Sequence, residues 1–363
     1  MASYIPHSRP TLGEEEARAA GEAIRSGQVA QGGRVAEFEA ELASYLGRTE
    51  AVAVSSGLAA LHLALVAIRV KPRDAVVVPS YNCAALVQAV RHCGAEVRLC
   101  DVDPVTGNPT PETVASAAEG ARAVVVTHLF GAPAEAQDIA ALGLAVVEDL
   151  AQGLGARSAE GTAGQFGQAA VCSFYATKLL TSGGEGGMIL GDDRDVLARA
   201  RDARSYDGRD DLSPRWNYKL TDLQAAVGLA QLSRYEEFIR RRRAIAMRYN
   251  EHLADTPLRL PEEPPGGRHV FHRYVVGLPE DWVDEHGDDG PEKAAEELEK
   301  RGVGACRPIY KPLHRLTGES GFPGTDGAWR GHLSLPIYPS LTEGEVEIVV
   351  EAVRSLFSGG GAR

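Results

Sequence analysis

The chain has little with which to cross-link itself or hold a metal. Its five cysteines, Cys83, Cys93, Cys100, Cys172 and Cys306, are odd in number and include no C-x-x-C pair. That pattern fits reduced thiols and argues against a disulfide scaffold or a zinc ribbon. The ten histidines are scattered without an H-E-x-x-H pattern, so no protein-bound metal is expected. No uninterrupted apolar run approaches membrane-spanning length, and the opening MASYIPHSRPTLGEEE lacks a basic region followed by an apolar one. Membrane and secretory readings are therefore set aside in favour of a cytoplasmic one. Positive charge is also short: Lys+Arg 38 stand against Asp+Glu 50, a formal charge of -12. Such a surface repels phosphate backbones, and no nucleic-acid partner is expected.

What is present is ordinary globular composition, 44% hydrophobic and 24% charged. A length of 363 residues exceeds what one hydrophobic core organises, which predicts a large domain and a smaller one. Compact apolar runs of strand length recur at AVAV (51–54), DAVVVP (74–79), EVRLC (96–100), AVVVT (123–127) and LAVVED (144–149). Helix-like segments lie between them, as at 56–68, 84–92 and 134–142. This alternation predicts a mostly parallel sheet with helices on both faces, and ligands at the carboxyl ends of its strands. Beyond it, 220–249 reads as one long helical stretch and HVFHRYVV (269–276) as a strand. The acidic segment 280–290 reads as a surface loop, and 292–301 and 342–357 as helices. Residues 1–245 are expected to form the large domain and 246–363 the small one. The first few residues and the tail GGGAR are expected to be mobile.

Three places carry chemistry. Asp149 ends an apolar run, with Gln152 three residues on; a buried carboxylate needs a partner, such as a cationic heterocycle nitrogen, unless it merely caps the next helix. CSFYATK (172–178) delivers Ser173 and then Lys178 ahead of the glycine-rich SGGEGG. A partly desolvated lysine is an amine nucleophile able to form a Schiff base, although a solvated lysine beside a hairpin has the same local pattern. The glycines Gly183, Gly184, Gly186 and Gly187 permit positive φ and close backbone approach. SSGLAAL (55–61) is a strand–turn–helix junction whose N–H groups at Gly57 and Leu58 suit a phosphate, as many α/β helix starts do.

In their order, these three pieces resemble the pyridoxal-phosphate enzymes of fold-type I. The words between them, VPSYNCAA, DVDPVTGN, THLFGAPA, EDLAQGLGA, NYKLTDLQAAVGLAQL and LPIYPSLTEGEV, resemble the DegT/DnrJ/StrS family of sugar aminotransferases from about residue 5 to 357. The resemblance implies an α/β fold-type I transferase with a large, mostly parallel seven-stranded sheet domain and a smaller C-terminal α+β domain. It implies a cytoplasmic aminotransferase moving an amino group from glutamate or glutamine to a keto group of a nucleotide-linked sugar, or alternatively of a cyclitol. Lys178 would hold the pyridoxal 5'-phosphate coenzyme and shuttle the proton. Asp149 would pair with the ring nitrogen, Gln152 would lie by the ring oxygen, and Ser173, Gly57 and Leu58 would bind the phosphate. Asn217 would reach the phosphate from the neighbouring subunit of a homodimer with shared active sites, if it is not simply a turn residue. Tyr310 and His314, in RPIYKPLH, match a segment near the substrate pocket that also reads as an ordinary loop.

Departures from the family pattern are visible too. Leu58 stands where threonine is usual, so one hydroxyl contact to the phosphate is missing. Cys83 stands where many members place a ring-stacking aromatic, which leaves Tyr81 and Cys83 as the two candidates. Lys219 replaces an arginine, losing the bidentate fork. Relatives that dehydrate rather than aminate carry histidine in place of the lysine, and Lys178 speaks against them. A non-catalytic regulatory protein of this fold would have lost the lysine, the aspartate or the phosphate serine, and all three are present. The basic run 240–243 reads as a solvated helix face paired with Glu236 and Glu237. His128 reads as a structural histidine.

Overall fold

The computed structural model describes residues 4–357; residues 1–3 and the tail GGGAR, expected to be mobile, lie outside the described residues. Seven strands form the main sheet: β1 (Glu50–Val54), β2 (Ala75–Pro79), β3 (Glu96–Cys100), β4 (Ala121–Thr127), β5 (Ala145–Asp149), β6 (Ala169–Ser173) and β7 (Gly187–Gly191). Their order is β1-β7-β6-β5-β4-β2-β3. β7 runs antiparallel to both β1 and β6, and the remaining pairs are parallel. β1 and β6 therefore point the same way as β2 to β5, and their carboxyl ends share one edge. The valine-rich runs follow from burial on both faces, as the unbroken burial of β2, β5 and β7 shows.

The two faces pack separate cores, because successive strand residues point to opposite sides. Val52, Val54, Val147 and Val171 join the helix Gly57–Ala67 on one face. Ala51, Ala53, Ala170 and Cys172 join the helix Gly33–Leu46 on the other. A third layer follows in the chain, built on a two-stranded antiparallel sheet of β8 (Tyr274–Gly277) and β9 (His332–Leu335). Its core includes Ile245, Tyr249, Leu253, Tyr274 and Val349. Ile5 belongs to this core as well, through hydrogen bonds of 2.9 and 2.8 Å with the backbone at Gly302 and Gly304. Among the described residues no helix is long and apolar enough to cross a membrane.

Three segments differ from their sequence reading. The stretch 220–249 is two helices, Asp222–Ser233 and Tyr235–Leu253, broken at Arg234 where φ is -109° and ψ is 3°. No proline or glycine marks the break; Arg234 there lies over the Phe238 ring at 5.1 Å and within 4 Å of Glu15 and Glu16 from the first helix of the chain. Residue 245 lies inside the second helix, whose Tyr235 and Ile239 serve the sheet core while Ile245 and Tyr249 serve the C-terminal one. The acidic segment 280–290 is helical over Glu280–His286, because Trp282 stacks on His286 and donates to the Gly290 carbonyl at 3.0 Å. HVFHRYVV is strand only from Tyr274; Phe271 ahead of it sits at φ 47°.

The basic run also departs from expectation. Arg241 pairs with Glu343 at 2.7 Å and Arg243 with Glu263 at 2.9 Å, while Arg242 is buried. Glu236 is instead engaged by Arg268 and the Tyr45 hydroxyl. These arginines bind the helix Tyr235–Leu253 to the C-terminal layer rather than facing solvent.

A buried carboxylate sets the entry to the sheet. Asp222 accepts from the backbone N–H groups of Gly32, Arg34 and Val35 at 2.8, 3.2 and 2.9 Å, capping the helix Gly33–Leu46 from another helix. A carboxylate at a helix N-terminus satisfies otherwise orphaned donors and opposes the helix dipole. Replacing Asp222 by alanine is expected to destabilise the protein by about 1–3 kcal/mol, and by asparagine, which keeps an acceptor, by less. Thermal midpoints of the two variants check the order; equal midpoints would remove the capping role.

Candidate active site

The carboxyl edge of the sheet collects most of the predicted residues. β5 ends in Glu148 and Asp149, both buried and pointing to opposite faces. Glu148, which the sequence reading passed over, accepts from His128 Nε2 at 3.1 Å and from the N–H groups of Gly164, Phe166 and Gly167 at 2.6–2.7 Å. Burial pushes its carboxyl up, but these hydrogen bonds outweigh burial and hold it below the usual range. His128 Nδ1 accepts from Ala134 N–H at 3.0 Å, so its proton is on Nε2 and directed at Glu148. Its role is structural.

Asp149 has a different environment. Its Oδ1 accepts from Ala151 N–H at 2.8 Å, and Lys178 lies in its field. Burial dominates and raises the carboxyl above its usual range. Lys178 follows β6 in a loop closed by hydrogen bonds Phe174 to Gly186 and Ala176 to Gly184. Burial lowers its ammonium below the usual range; Asp149 and Cys83 draw it back up, and Arg273 lowers it further. The glycines divide the work: Gly183 and Gly184 have φ of 82° and 138°. A Cβ at Gly186 or Gly187 would overlap Ser182 or the Ser56 carbonyl.

At the end of β1, Ser56 caps the helix Gly57–Ala67 by accepting from Ala59 N–H at 3.1 Å. A Cβ on Gly57 would lie 2.7 Å from Ser173 Cβ and 2.9 Å from its Oγ. The first turn of the helix, Leu58 included, therefore meets the Ser173 hydroxyl at close range, and a side chain at 57 would fill the space. Gln152 Oε1 accepts from Phe130 N–H at 3.0 Å, holding that residue at φ 59°. This leaves the amide NH2 of Gln152 as its free end.

Of the two ring-stacking candidates, Tyr81 is enclosed. It is fully buried with Leu129, Phe130 and Ile309, and its hydroxyl reaches the Ala328 carbonyl and His332, both at 3.3 Å. Cys83 is reached by water yet crowded by protein on most sides, and burial raises its thiol above the usual range within the field of Asp149 and Lys178. Asn217 is exposed, on a segment hydrogen-bonded to the end of β1 through Tyr218 and Ser55 at 2.8 Å. Tyr310 is 90% exposed, with its carbonyl bound by Trp329 Nε1 at 3.2 Å. His314 is committed to the fold: Nδ1 meets Ser80 Oγ at 2.8 Å, Nε2 lies 3.4 Å from Asp326, and the ring stacks on Phe322. Both nitrogens thus have neighbours within the protein. Lys219 is paired with Asp207.

Arg273 was not singled out from the sequence. It follows His272 just ahead of β8 and lies close enough to Lys178 to depress its ammonium. The available signal was a lone cation in the otherwise apolar run HVFHRYVV. Among the described residues no group of three or more His, Cys, Asp or Glu could hold a metal ion.

Comparison with known proteins agrees with this geometry. The sequence profile of the DegT/DnrJ/EryC1/StrS aminotransferase family matches residues 10–354. The chain is 35% identical over 373 residues to the dTDP-4-dehydro-2,3,6-trideoxy-D-glucose 4-aminotransferase of Saccharopolyspora spinosa, covering 94% of each. It is 33% identical over 342 residues to the GDP-perosamine synthase of Caulobacter vibrioides, covering 88% of this chain and 89% of the other. The crystal structure of the aminotransferase TlmJ from Streptoalloteichus hindustanus superposes with a TM-score of 0.89 at 34% identity, covering 97% of this chain and 98% of that one.

The depressed carboxyl of Glu148 has a signed consequence. Its stabilisation is complete above the unfolded value near 4.5 and is lost as pH falls through the lower folded value. A Glu148→Gln variant is expected to be less stable than wild type at pH 7 by about 2–4 kcal/mol, with the gap shrinking below about pH 5. Urea titrations at pH 7, 5 and 4 measure it; a pH-independent gap would remove the ionised clamp.

Proposed function

The chain belongs to the DegT/DnrJ/EryC1/StrS aminotransferase family, and from that premise we propose that it moves an amino group from glutamate or glutamine to the keto group of a nucleotide-linked sugar. The observation that carries the chemistry is the meeting, at one sheet edge, of a buried lysine, a buried carboxylate with one backbone donor, and a helix N-terminus pressed against Ser173. The sugar reading is supported by relatives named for a dTDP-linked dehydro-sugar and for GDP-perosamine.

These residues fit pyridoxal 5'-phosphate. The missing side chain at Gly57 lets the helix end come close to Ser173, so that the N–H groups of Gly57 and Leu58 and the Ser173 hydroxyl can serve as donors to one phosphate. Leu58 adds no hydroxyl. Asp149, raised by burial and short of partners, suits the ring N–H, whose proton would restore its charge. Gln152 offers its NH2 to the ring oxygen, since its Oε1 is held by Phe130. Cys83 rather than Tyr81 borders the ring, as Tyr81 is enclosed elsewhere. When bound, the coenzyme supplies a carbonyl that captures amines and a ring that takes up negative charge from the adjacent carbon.

Lys178 does the protein's part of the chemistry. Its amine, lowered by burial, is available unprotonated to hold the coenzyme and, once released, would take the proton from the donor carbon and, in the second half of the transfer, deliver one to the acceptor's former keto carbon. Asn217, exposed beside the end of β1, reaches across a homodimer in this reading, so two subunits complete each site. The tertiary layer from about residue 246 covers the cleft, and the enzyme works in the cytoplasm.

Purified protein supplied with pyridoxal phosphate is expected to show a visible band of lysine-bound coenzyme that glutamate bleaches. Lys178→Ala should lack that band and lose at least about 10²–10⁴-fold in rate. Gly57→Ala, whose methyl would press on the Ser173 side chain, should shift that helix end and bind the coenzyme at least tenfold more weakly, roughly 1.4 kcal/mol, read by equilibrium dialysis. A panel of keto-sugar nucleotides and cyclitol ketones with glutamate identifies the acceptor. Turnover by Lys178→Ala at the wild-type rate would sink the assignment.

A further inference from the structure

Beside the Lys178 loop the structure gathers three arginines that no carboxylate neutralises. Arg9, Arg242 and Arg273 line a cavity of about 30 Å³ together with His7, Thr177 and His272. Thr177 immediately precedes Lys178, and two lining residues, Arg273 and His272, lie within the electrostatic reach of the lysine. Among the described residues none of these three arginines forms a salt bridge, whereas their helix neighbours Arg241 and Arg243 pair with Glu343 and Glu263.

What the three touch does not offset their charge. Arg242, buried, directs Nη1 to the carbonyls of Phe271, His272 and Ile337 at 2.9–3.2 Å and leaves Nε without a partner. Arg273 reaches only His7 Nε2 at 3.4 Å and the Cys306 thiol at 3.6 Å. Arg9 is exposed at the rim, over the Tyr338 ring at 5.5 Å. Burial and Arg273 lower His7 to about 3, and burial with Lys178 and Arg273 lowers His272 too, so both rings are neutral. The Nδ1 atom of His272 and the hydroxyl of Tyr338 are buried without partners. Desolvated cations with nothing opposite them are unfavourable.

Backbone in an unfavourable region lies beside the cluster. Phe130 and Phe271 hold φ of 59° and 47°, unusual for bulky residues, and they meet across the junction between sheet and C-terminal layer. Val270 N–H donates to the Gly131 carbonyl at 3.0 Å and Arg273 N–H to the Phe130 carbonyl at 3.1 Å. Strain of this kind persists where the surroundings over-determine it, commonly at ligand clamps.

Size selects the ligand. One water needs roughly 10–15 Å³ of such space, so the recess matches a group presenting about two oxygen atoms, with the rest of its carrier outside. A guanidinium fork matches the two oxygens of a carboxylate. We propose that Arg273, backed by Arg242 and Arg9, is the fork for a carboxylate carried by a substrate reacting at Lys178, an inference that rests on the aminotransferase reading above. An amino-acid donor brings such a group one bond from its reacting carbon; an acidic sugar is the other source of the same chemistry.

The test is calorimetric, on protein loaded with pyridoxal phosphate, using glutarate as an unreactive dicarboxylate and glucuronate as an acidic sugar. Wild type is expected to bind glutarate, with at least a tenfold weaker Kd in Arg273→Gln and an intermediate Kd in Arg273→Lys. Binding of glucuronate instead, equally lost in Arg273→Gln, supports the subsite with the sugar as source. Arg9→Gln at the rim, expected to weaken the bound acid several-fold, replaces Arg273→Gln should that variant not fold. Unchanged affinity in the variants, or no binding of either acid by wild type, overturns the proposal. Glutamate bleaching separates the two readings: no response in wild type defeats the aminotransferase assignment, whereas an equal response with equal half-saturation in Arg273→Gln defeats only the carboxylate fork.

Discussion

Two neighbouring carboxylates at the end of one buried strand organise the rest of the site. Glu148 and Asp149 point to opposite faces of the sheet, and each ionised carboxylate removed from water must be compensated. Glu148 is saturated by His128 and three backbone N–H groups, all within hydrogen-bond distance. That clamp fixes the loop entering β6, hence the register of β6 against β5 and the position of Ser173. It also orients His128, whose other nitrogen holds the turn at Ala134. Asp149 receives one backbone N–H and faces Lys178. One carboxylate is consumed by the fold so that its neighbour can remain incomplete.

The remaining geometry is a matter of how closely backbone can approach backbone along the same edge. Gly57 lets the first turn of its helix meet Ser173, and Gly187 lets β7 pass the Ser56 carbonyl. β1 and β6 do not pair directly; β7 lies between them, antiparallel to both. The approach of the Gly57 helix end to Ser173 thus spans a strand whose glycines permit the close packing. A methyl group at any of these positions would push apart elements whose spacing is the site.

The sheet was legible because its strands are buried on both faces, so continuous apolar runs such as AVVVP and AVVED could be read without any periodicity. Asp149 and Ser173 drew notice in the sequence as the last residues of apolar runs, and Gly57 and Lys178 as residues soon after such runs, where α/β sheets place their ligands. What failed to show was set by partners distant in sequence. The helix break falls at Arg234, which meets Glu15 and Glu16 from near the start of the chain. Glu148 reads locally as part of a hydrophobic strand, and its four donors come from two loops. His314 resembles a pocket residue in sequence, yet Ser80, more than two hundred positions earlier, absorbs its Nδ1. Arg273 had a local trace, a cation in an apolar run, but its distinction lies in the carboxylates that are absent around it.

That absence sharpens the meaning of the chain's negative charge. With 50 acidic against 38 basic side chains, a random arginine has a carboxylate within easy reach, and most arginines of the Tyr235–Leu253 helix and its surroundings find one. Leaving three arginines together without one therefore requires the fold to exclude acids from a recess in an acidic protein. It does so by lining the recess with neutral imidazoles, a threonine and backbone carbonyls. Surface charge acts over a Debye length of about 8 Å at physiological salt and is screened beyond it, so the outer acidity does little to relieve charges inside a dry cleft. The positive field there belongs to the cleft itself, set against a lysine that burial already drives toward its neutral form.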